Sequence, residues 1–335
     1  MTLTSLPHFE LIDLHPAPAD MAELVRQGLA KRPRQLPAWL LYDQRGSELF
    51  SAICRQPEYG LTRTEQQLIG SSSTAIATEL SAGMLVVEFG AGSAEKVSPL
   101  LDALVDPAYL AIDISAAQLT EAGQRLQASH PSVPMLGICA DYSRPLQLPL
   151  PPGLASRPRL GFFPGSSLGN FEPQEAIIFL GRLRRLLGPS AKLLIGIDQP
   201  RPRALLEAAY NDAAGYSAAF ALNLLDRLQR DLDGQWQADG FRYQAHWDEA
   251  NQRISMALLS NGAQLLRVAG VEAQFEADEP LITEYSYKFS PQAFGDLALA
   301  AGWQCLGRWC DPADHFSLHL LQPIDPLQTA EDLQC

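Results

Sequence analysis

LVVEFGAGSAEKV, residues 85–97, is the stretch that decides the fold. An apolar, partly β-branched run carries one acid, meets two glycines two positions apart, and continues into helix-compatible residues. That composition suits a short buried strand turning sharply into a helix, with glycines that let the backbone approach something bound at the turn. The neighbouring chain repeats the pattern. AYLAIDIS (108–115), VPMLGICAD (133–141), RLGFFPGSS (159–167) and AKLLIGID (191–198) are further strand candidates. AEKVSPLLDALV (94–105), AAQLTEAGQRLQ (116–127) and QEAIIFLGRLRRLLG (174–188) have helical spacing between them. Alternating strands and helices imply a doubly wound α/β domain, its parallel sheet covered on both faces.

After residue 198 the pattern changes. Residues 203–233 read as helix broken near Gly215. RISMALLS (253–260) and AQLLRVAGVEAQF (263–275) flank Asn261-Gly262, a favoured turn dipeptide, so 253–275 is expected to be a hairpin. LITEYSYKF (281–289) is another strand, PQAFGDLALAAG (291–302) a helix, and HFSLHLLQP (315–323) a strand that returns to the parallel sheet. The first 60 residues fit nowhere in that sheet. The expected division is therefore 61–198 plus 287–325 as the doubly wound domain, with 10–60 plus 199–286 as a second, smaller one.

Apolar residues make up 47% of the 335 and charged residues 19%, the balance of a folded chain. A net charge of -13 repels phosphate backbones and anionic lipid, which argues against nucleic-acid and membrane partners. MTLTSLPHFELIDLHP (1–16) lacks the basic and apolar regions of a signal peptide, and no run reaches membrane-spanning length, so a cytoplasmic location is expected. Cys54, Cys139, Cys305, Cys310 and Cys335 form no C-x-x-C pair and read as reduced thiols. His315 and His319 would share a helical face as metal ligands, but FSLHLLQ (316–322) alternates like a strand, so no metal is expected.

Three ligands compete for the glycine turn. A phosphate-cradling loop needs Gly-Lys-Ser/Thr, which is missing. A dinucleotide turn closes on glycine or alanine beside the pyrophosphate, where this chain has the anionic Glu95. S-adenosylmethionine carries a sulfonium and no phosphate, and it suits an acid-rich turn. On that reading Glu88 faces the ligand's cationic part, Gly90 and Gly92 open the turn, and Asp113 accepts from the ribose hydroxyls. Asp141 then accepts from the adenine amino group, with Tyr142 beside the ring. Each acid also suits a plain strand-end or capping role. Three at successive strand ends, with the glycines, favour S-adenosylmethionine-dependent methyl transfer.

Several longer segments add to this: LLYDQRGSELFSAICRQPEYGLTRTE (40–65), EFGAGSAEK (88–96), PGSSLGN (164–170), AYNDAAG (209–215) and TEYSYKF (283–289). Through them the chain resembles, from about residue 36 to 321, the histidine Nα-methyltransferase family, which trimethylates the amino group of L-histidine in ergothioneine biosynthesis. The resemblance implies a Rossmann-like class I methyltransferase fold with a smaller α+β substrate-binding domain, the acceptor lying in the cleft between them. It also implies S-adenosylmethionine as donor and L-histidine as small-molecule acceptor; a monomer is expected. Tyr59 and Asn170 match residues that contact the substrate's amino acid end and orient its nitrogen, and Tyr210 one that binds the carboxylate. Glu284 and Ser286 match the pair bonded to the imidazole, and Met256 a pocket methionine that favours histidine over indole. Gly90, Lys96, Asp113, Asp141 and Tyr142 fall on cofactor positions. Tyr42, on the cofactor side, and Phe50, on the substrate side, help enclose the site. Gly60 departs from the family, which often has a second tyrosine there.

The bare residues support part of this. Glu284 and Ser286 stand two apart in a strand and share a face, where a carboxylate and a hydroxyl satisfy both nitrogens of an imidazole. The blander readings are a solvated strand face for that pair, core tyrosines at 59 and 210, a turn residue at Asn170 and an exposed helix lysine at Lys96. A methyltransferase for another amino acid, a catalytically silent binding module and, less well, a nicotinamide oxidoreductase stand as alternatives.

Overall fold

The computed structural model describes residues 9–14 and 20–324; Cys335, residue 325 of the expected domain and most of the 1–16 stretch lie outside these. The first elements are β1 (Glu10–Asp13), α1 (Met21–Ala30), β2 (Arg34–Gln35), α2 (Gln44–Cys54), α3 (Leu61–Thr78) and β3 (Leu85–Phe89). Next come α4 (Ser98–Ala103), β4 (Ala108–Asp113), α5 (Ala116–Ser129), β5 (Met135–Cys139), α6 (Pro152–Ala155), β6 (Arg159–Phe163), α7 (Pro173–Leu187) and β7 (Lys192–Asp198). The intervening part holds α8 (Arg203–Ala209), α9 (Tyr216–Leu232), β8 (Phe241–Asp248), β9 (Arg253–Ser260), β10 (Gln264–Val268), β11 (Val271–Phe275) and β12 (Pro280–Tyr287). The last are α10 (Pro291–Ala300), β13 (Trp303–Cys310) and β14 (Phe316–Pro323).

The main sheet runs β1-β5-β4-β3-β6-β7-β14-β13. β3 lies at its centre, parallel to β4 and β6. Both faces are dry, as an unbroken apolar strand requires. Val86 belongs to the same buried cluster as Ile69 and Ile76 of α3 and Leu119 of α5, while Leu85, Val87 and Phe89 belong to the cluster that holds Phe179 and Leu183 of α7. The expected doubly wound core is therefore present.

Four expectations are corrected. Residues 10–13 were assigned to the smaller domain, yet β1 pairs in parallel with β5 and extends the main sheet. The helix after the glycine turn starts only at Ser98; Ala94 has φ 54°, which no helix accommodates. The closing strand returns to the sheet antiparallel to β7, and its partner β13 had no sequence counterpart. The hairpin at Asn261-Gly262 does not form, because β8 and β12 occupy both edges of β9. β10 pairs instead with β11 around Ala269 (φ 55°) and Gly270 (φ 77°), and two positive φ values give the tight turn whose twist suits a hairpin.

A second sheet, β2-β12-β9-β8, stands apart from the first. β12 carries a bulge between Ile282 and Glu284. Leu281 and its partner Leu258 share one face with the pairs Glu284–Met256 and Ser286–Ile254, whereas Ile282, Tyr285 and Tyr287 share the other. Leu281 and Glu284 are three residues apart, a spacing that in a regular strand puts side chains on opposite faces. The extra residue, Thr283, donates its hydroxyl to the Met256 carbonyl at 3.1 Å.

Candidate active site

The donor turn follows β3. Gly90 (φ 71°) and Gly92 (φ 51°) both take a backbone conformation that favours glycine. A Cβ on Gly90 would stand 2.8 Å from the Tyr142 hydroxyl, so this residue is held to glycine by conformation and by space. Asp113 ends β4, half-buried, and accepts from the backbone N–H of Gly92 (3.1 Å) and of Ser115 (3.2 Å). Its carboxylate is fixed beside the turn with lone pairs left over, as a ribose-binding acid requires. The open backbone at Gly92, the anchored Asp113 and the absence of an anion-binding lysine motif fit S-adenosylmethionine.

Four donor-side residues stand differently from expectation. Glu88 does not face an open cradle: it is buried, accepts from the Tyr109 hydroxyl at 2.6 Å, and burial pushes its carboxyl up to about 8. Asp141 lies two residues beyond β5 and accepts from the Ser143 N–H at 3.0 Å and from Arg144 at 3.1 Å. Tyr142 reaches the turn with its hydroxyl, but its ring sits edge-on to Phe89 and Phe163. Lys96 is not helical; its ammonium lies 2.6 Å from Glu65, a fully buried acid of α3 that also accepts from the Gly165 N–H at 2.7 Å.

On the acceptor side the expected residues come together. A 3-10 turn, Ser167–Asn170, brings Asn170 over β12, and its amide donates to Glu284 at 2.8 Å. Close packing sets this turn: a Cβ on Gly169 would meet the Tyr287 carbonyl oxygen at 2.6 Å. Glu284 is buried, and desolvation pushes its carboxyl up to about 8 against the pull of Lys288. Ser286 lies on the same face, 2.8 Å from the Tyr210 hydroxyl. Met256, opposite Glu284 in register, packs with Leu206 and Trp247 beside Tyr210.

Aromatic rings wall this face. Tyr59 meets Tyr210 edge-on at 5.8 Å and Phe50 at 6.3 Å, and Tyr42 meets Phe50 at 5.6 Å. Burial holds the Tyr59 hydroxyl well above its ordinary range. Tyr42 itself is 39% exposed. Phe220 of α9 completes the wall, 5.2 Å from Tyr42.

Sequence reasoning missed Phe220, Glu65 and a buried charge cluster. Lys288 lies 2.8 Å from Asp198, both side chains inaccessible, and Arg201 also pairs with Asp198. Asp198 was legible as one more acid ending a parallel strand. Lys288 and Glu65 lie inside segments already quoted as motifs, but nothing in their spacing announces partners.

The profile of a family described as histidine-specific methyltransferase, SAM-dependent, matches residues 21–323. The chain is 36% identical over 302 residues to the histidine N-alpha-methyltransferase of Mycobacterium tuberculosis, covering 88% of this chain and 92% of that one. The corresponding protein of Mycolicibacterium smegmatis is 37% identical over the same length and coverage. A 4-dimethylallyltryptophan N-methyltransferase of Claviceps purpurea is 25% identical over 322 residues, covering 89% of this chain and 94% of that one. The sheet order, the glycine turn and a match across nearly every described residue lead to one conclusion: the chain belongs to the family of histidine-specific, S-adenosylmethionine-dependent methyltransferases, with their Rossmann-like class I fold.

Proposed function

We propose that the chain methylates the α-amino nitrogen of L-histidine, through three transfers, to the trimethylated betaine. The observation that carries this reading is the buried Glu284–Ser286 face of β12, opposed by Asn170 and walled by tyrosines. Bound S-adenosylmethionine supplies an electrophilic methyl group on a sulfonium. The nucleophile must be the neutral amine, so the chain has to hold that nitrogen aligned and dry; alignment alone contributes several kcal/mol.

In this reading Asn170, its amide N–H already engaged by Glu284, offers its carbonyl oxygen to an amine proton. The Tyr59 hydroxyl fixes the nitrogen from the other side, while a water or carboxylate takes the proton released. The Tyr210 ring lies toward the carboxylate, its hydroxyl proton held by Ser286, and Glu284 and Ser286 take the two ring nitrogens. Met256 closes the pocket floor against a larger ring. On the donor side Asp113 holds the ribose, Asp141 and Tyr142 lie toward the adenine, and Lys96 toward the carboxylate. Each transfer removes a hydrogen-bond donor, until the faces of Phe50, Tyr42 and Tyr59 hold a quaternary cation at roughly 0.5–2 kcal/mol. Residues 61–198 with 287–324 form the donor half and the segments 20–60 and 199–286 the acceptor half. One chain supplies both halves, which supports a monomer. Among the described residues no helix is long and apolar enough to cross a membrane.

The test is incubation of purified protein with S-adenosylmethionine and a panel of amino acids, read by mass. Gains of one, two and three methyl groups on histidine support the proposal. A preference for tryptophan or tyrosine, or no gain on histidine, overturns it.

A further inference from the structure

We propose that Lys288 is a positioning residue of the acceptor pocket: with Tyr210 it fills both lone pairs of Ser286, so that this hydroxyl can only donate to the acceptor's ring. The inference rests on the proposed function and adds to it a rule for which rings are admitted.

Lys288 directly follows β12 and is 2% exposed. Its ammonium donates to the Tyr210 hydroxyl at 2.7 Å and to the Ser286 hydroxyl at 2.6 Å, and it lies 2.8 Å from Asp198. An ammonium has protons to give and no lone pair, so towards both hydroxyls it can only donate, while the charge is paired with Asp198. Burial opposes the charge, but Asp198 and Tyr210 together outweigh it and the amine stays protonated.

The Tyr210 and Ser286 oxygens are themselves 2.8 Å apart, so one donates to the other. A phenol is the stronger acid and the weaker acceptor, which makes Tyr210 the donor. Ser286 therefore receives two hydrogen bonds, one from Lys288 and one from Tyr210, and a hydroxyl oxygen has two lone pairs. Its remaining capacity is its own proton, free for the acceptor. A ring nitrogen facing Ser286 must then be bare. Glu284, two residues earlier on the same face, serves the other nitrogen. Neutral imidazole presents a bare nitrogen to this pair, whereas indole has one N–H and no bare nitrogen. The Tyr210–Ser286–Lys288 triangle is thus a chemical filter, separate from the steric one at Met256.

Full-length protein is tested by calorimetry at about pH 7.5, where none of the probe rings titrates. Thiazol-4-ylalanine and thiazol-5-ylalanine each place a bare nitrogen at one imidazole position; pyrrol-2-ylalanine and pyrrol-3-ylalanine place an N–H at the same positions. Wild-type protein should bind one thiazolyl isomer about tenfold or more tightly than its pyrrolyl counterpart, the effect of one matched against one unmatched buried hydrogen bond. Lys288→Met returns a lone pair to Ser286 and should shrink that ratio to about threefold or less. The variant leaves Asp198 paired with Arg201, so the buried carboxylate keeps a partner, and S-adenosylmethionine affinity reports folding. Lys288→Gln is the second variant: its amide oxygen accepts the Ser286 proton and should abolish or invert the preference. A ratio unchanged in a variant that binds S-adenosylmethionine overturns this inference alone. Failure of wild-type protein to bind histidine overturns the proposed function and this inference with it.

Discussion

Replacing Glu284 by glutamine tests the electrostatics of the acceptor pocket without ligand. The carboxyl is buried and its pKa is about 8, against an ordinary 4.5. Burial is the larger cause, and Lys288 only partly offsets it. Between these two values the folded protein holds a proton that the unfolded chain has released, so stability falls as pH rises. The contribution is full below about 4.5 and lost by about 8. From about pH 5.5 to about pH 8 the change spans roughly 2.5 pKa units, on the order of 3 kcal/mol. Glutamine mimics the protonated acid, still accepts from Asn170, and has no proton to lose. The Glu284→Gln protein should therefore gain on wild type as pH rises, its Tm advantage widening by roughly 5 °C across that interval for a chain of this size. Calorimetric melts of both proteins at several pH values give the answer. Glu88, whose carboxyl is also pushed to about 8, is present in both proteins and cancels in the difference. Parallel pH profiles for the two would refute the view that Glu284 is held protonated by burial.

The remaining predictions concern function. Asp113→Ala should weaken S-adenosylmethionine binding about 100-fold, from loss of charge-assisted bonds, and leave histidine recognition intact. Glu284→Ala should do the reverse, raising the KM for histidine about 100-fold with cofactor affinity almost unchanged; equal losses in calorimetry and kinetics would argue against separate halves. Gly90→Ala adds a methyl group 2.8 Å from the Tyr142 hydroxyl at φ 71°. It should lower cofactor affinity at least about tenfold, and adding Tyr142→Phe should restore only the steric part. Because Tyr210 and Ser286 belong to one hydrogen-bonded triangle, Tyr210→Phe and Ser286→Ala should be strongly non-additive in kcat/KM, with a coupling of about 1–2 kcal/mol.

The alternation of strands and helices from Leu85 to Asp198 was legible because buried parallel strands are apolar throughout and their connections are helical. Acids at their carboxyl ends pointed to the donor pocket for the same reason. What hydrogen bonding decides was not legible. Glu88 read as a ligand-facing acid, yet Tyr109 on the next strand engages it, a pairing visible only once β3 and β4 are in register. Asn261-Gly262 read as a hairpin turn, but a local dipeptide cannot announce that both edges of β9 are taken. The long N-terminal signature mixes two jobs. Tyr42, Phe50 and Tyr59 line the cleft, whereas Asp43 caps α2 through the Gly46 N–H and ties it to Asn223 of α9. Gly46 stands so close to the Leu41 carbonyl that no side chain fits there. The AYNDAAG segment is divided in the same way: Tyr210 faces the pocket, and Asp212 caps α9 through Tyr216 and Ser217.

The surplus residue at Thr283 separates the strand into a stem and a tip. Upstream, Leu281 and Ile282 anchor the sheet in its hydrophobic surroundings; downstream lie Glu284 and Ser286, the positions proposed to meet the acceptor. On the proposed function, substitutions at the tip should change the acceptor while leaving that anchor in place. Deleting Thr283 would merely straighten the strand, because Glu284 would still lie opposite Met256, whereas a single-codon deletion at Tyr285 would turn Ser286 to the other face, so length beyond the bulge should be guarded more strictly than side-chain identity.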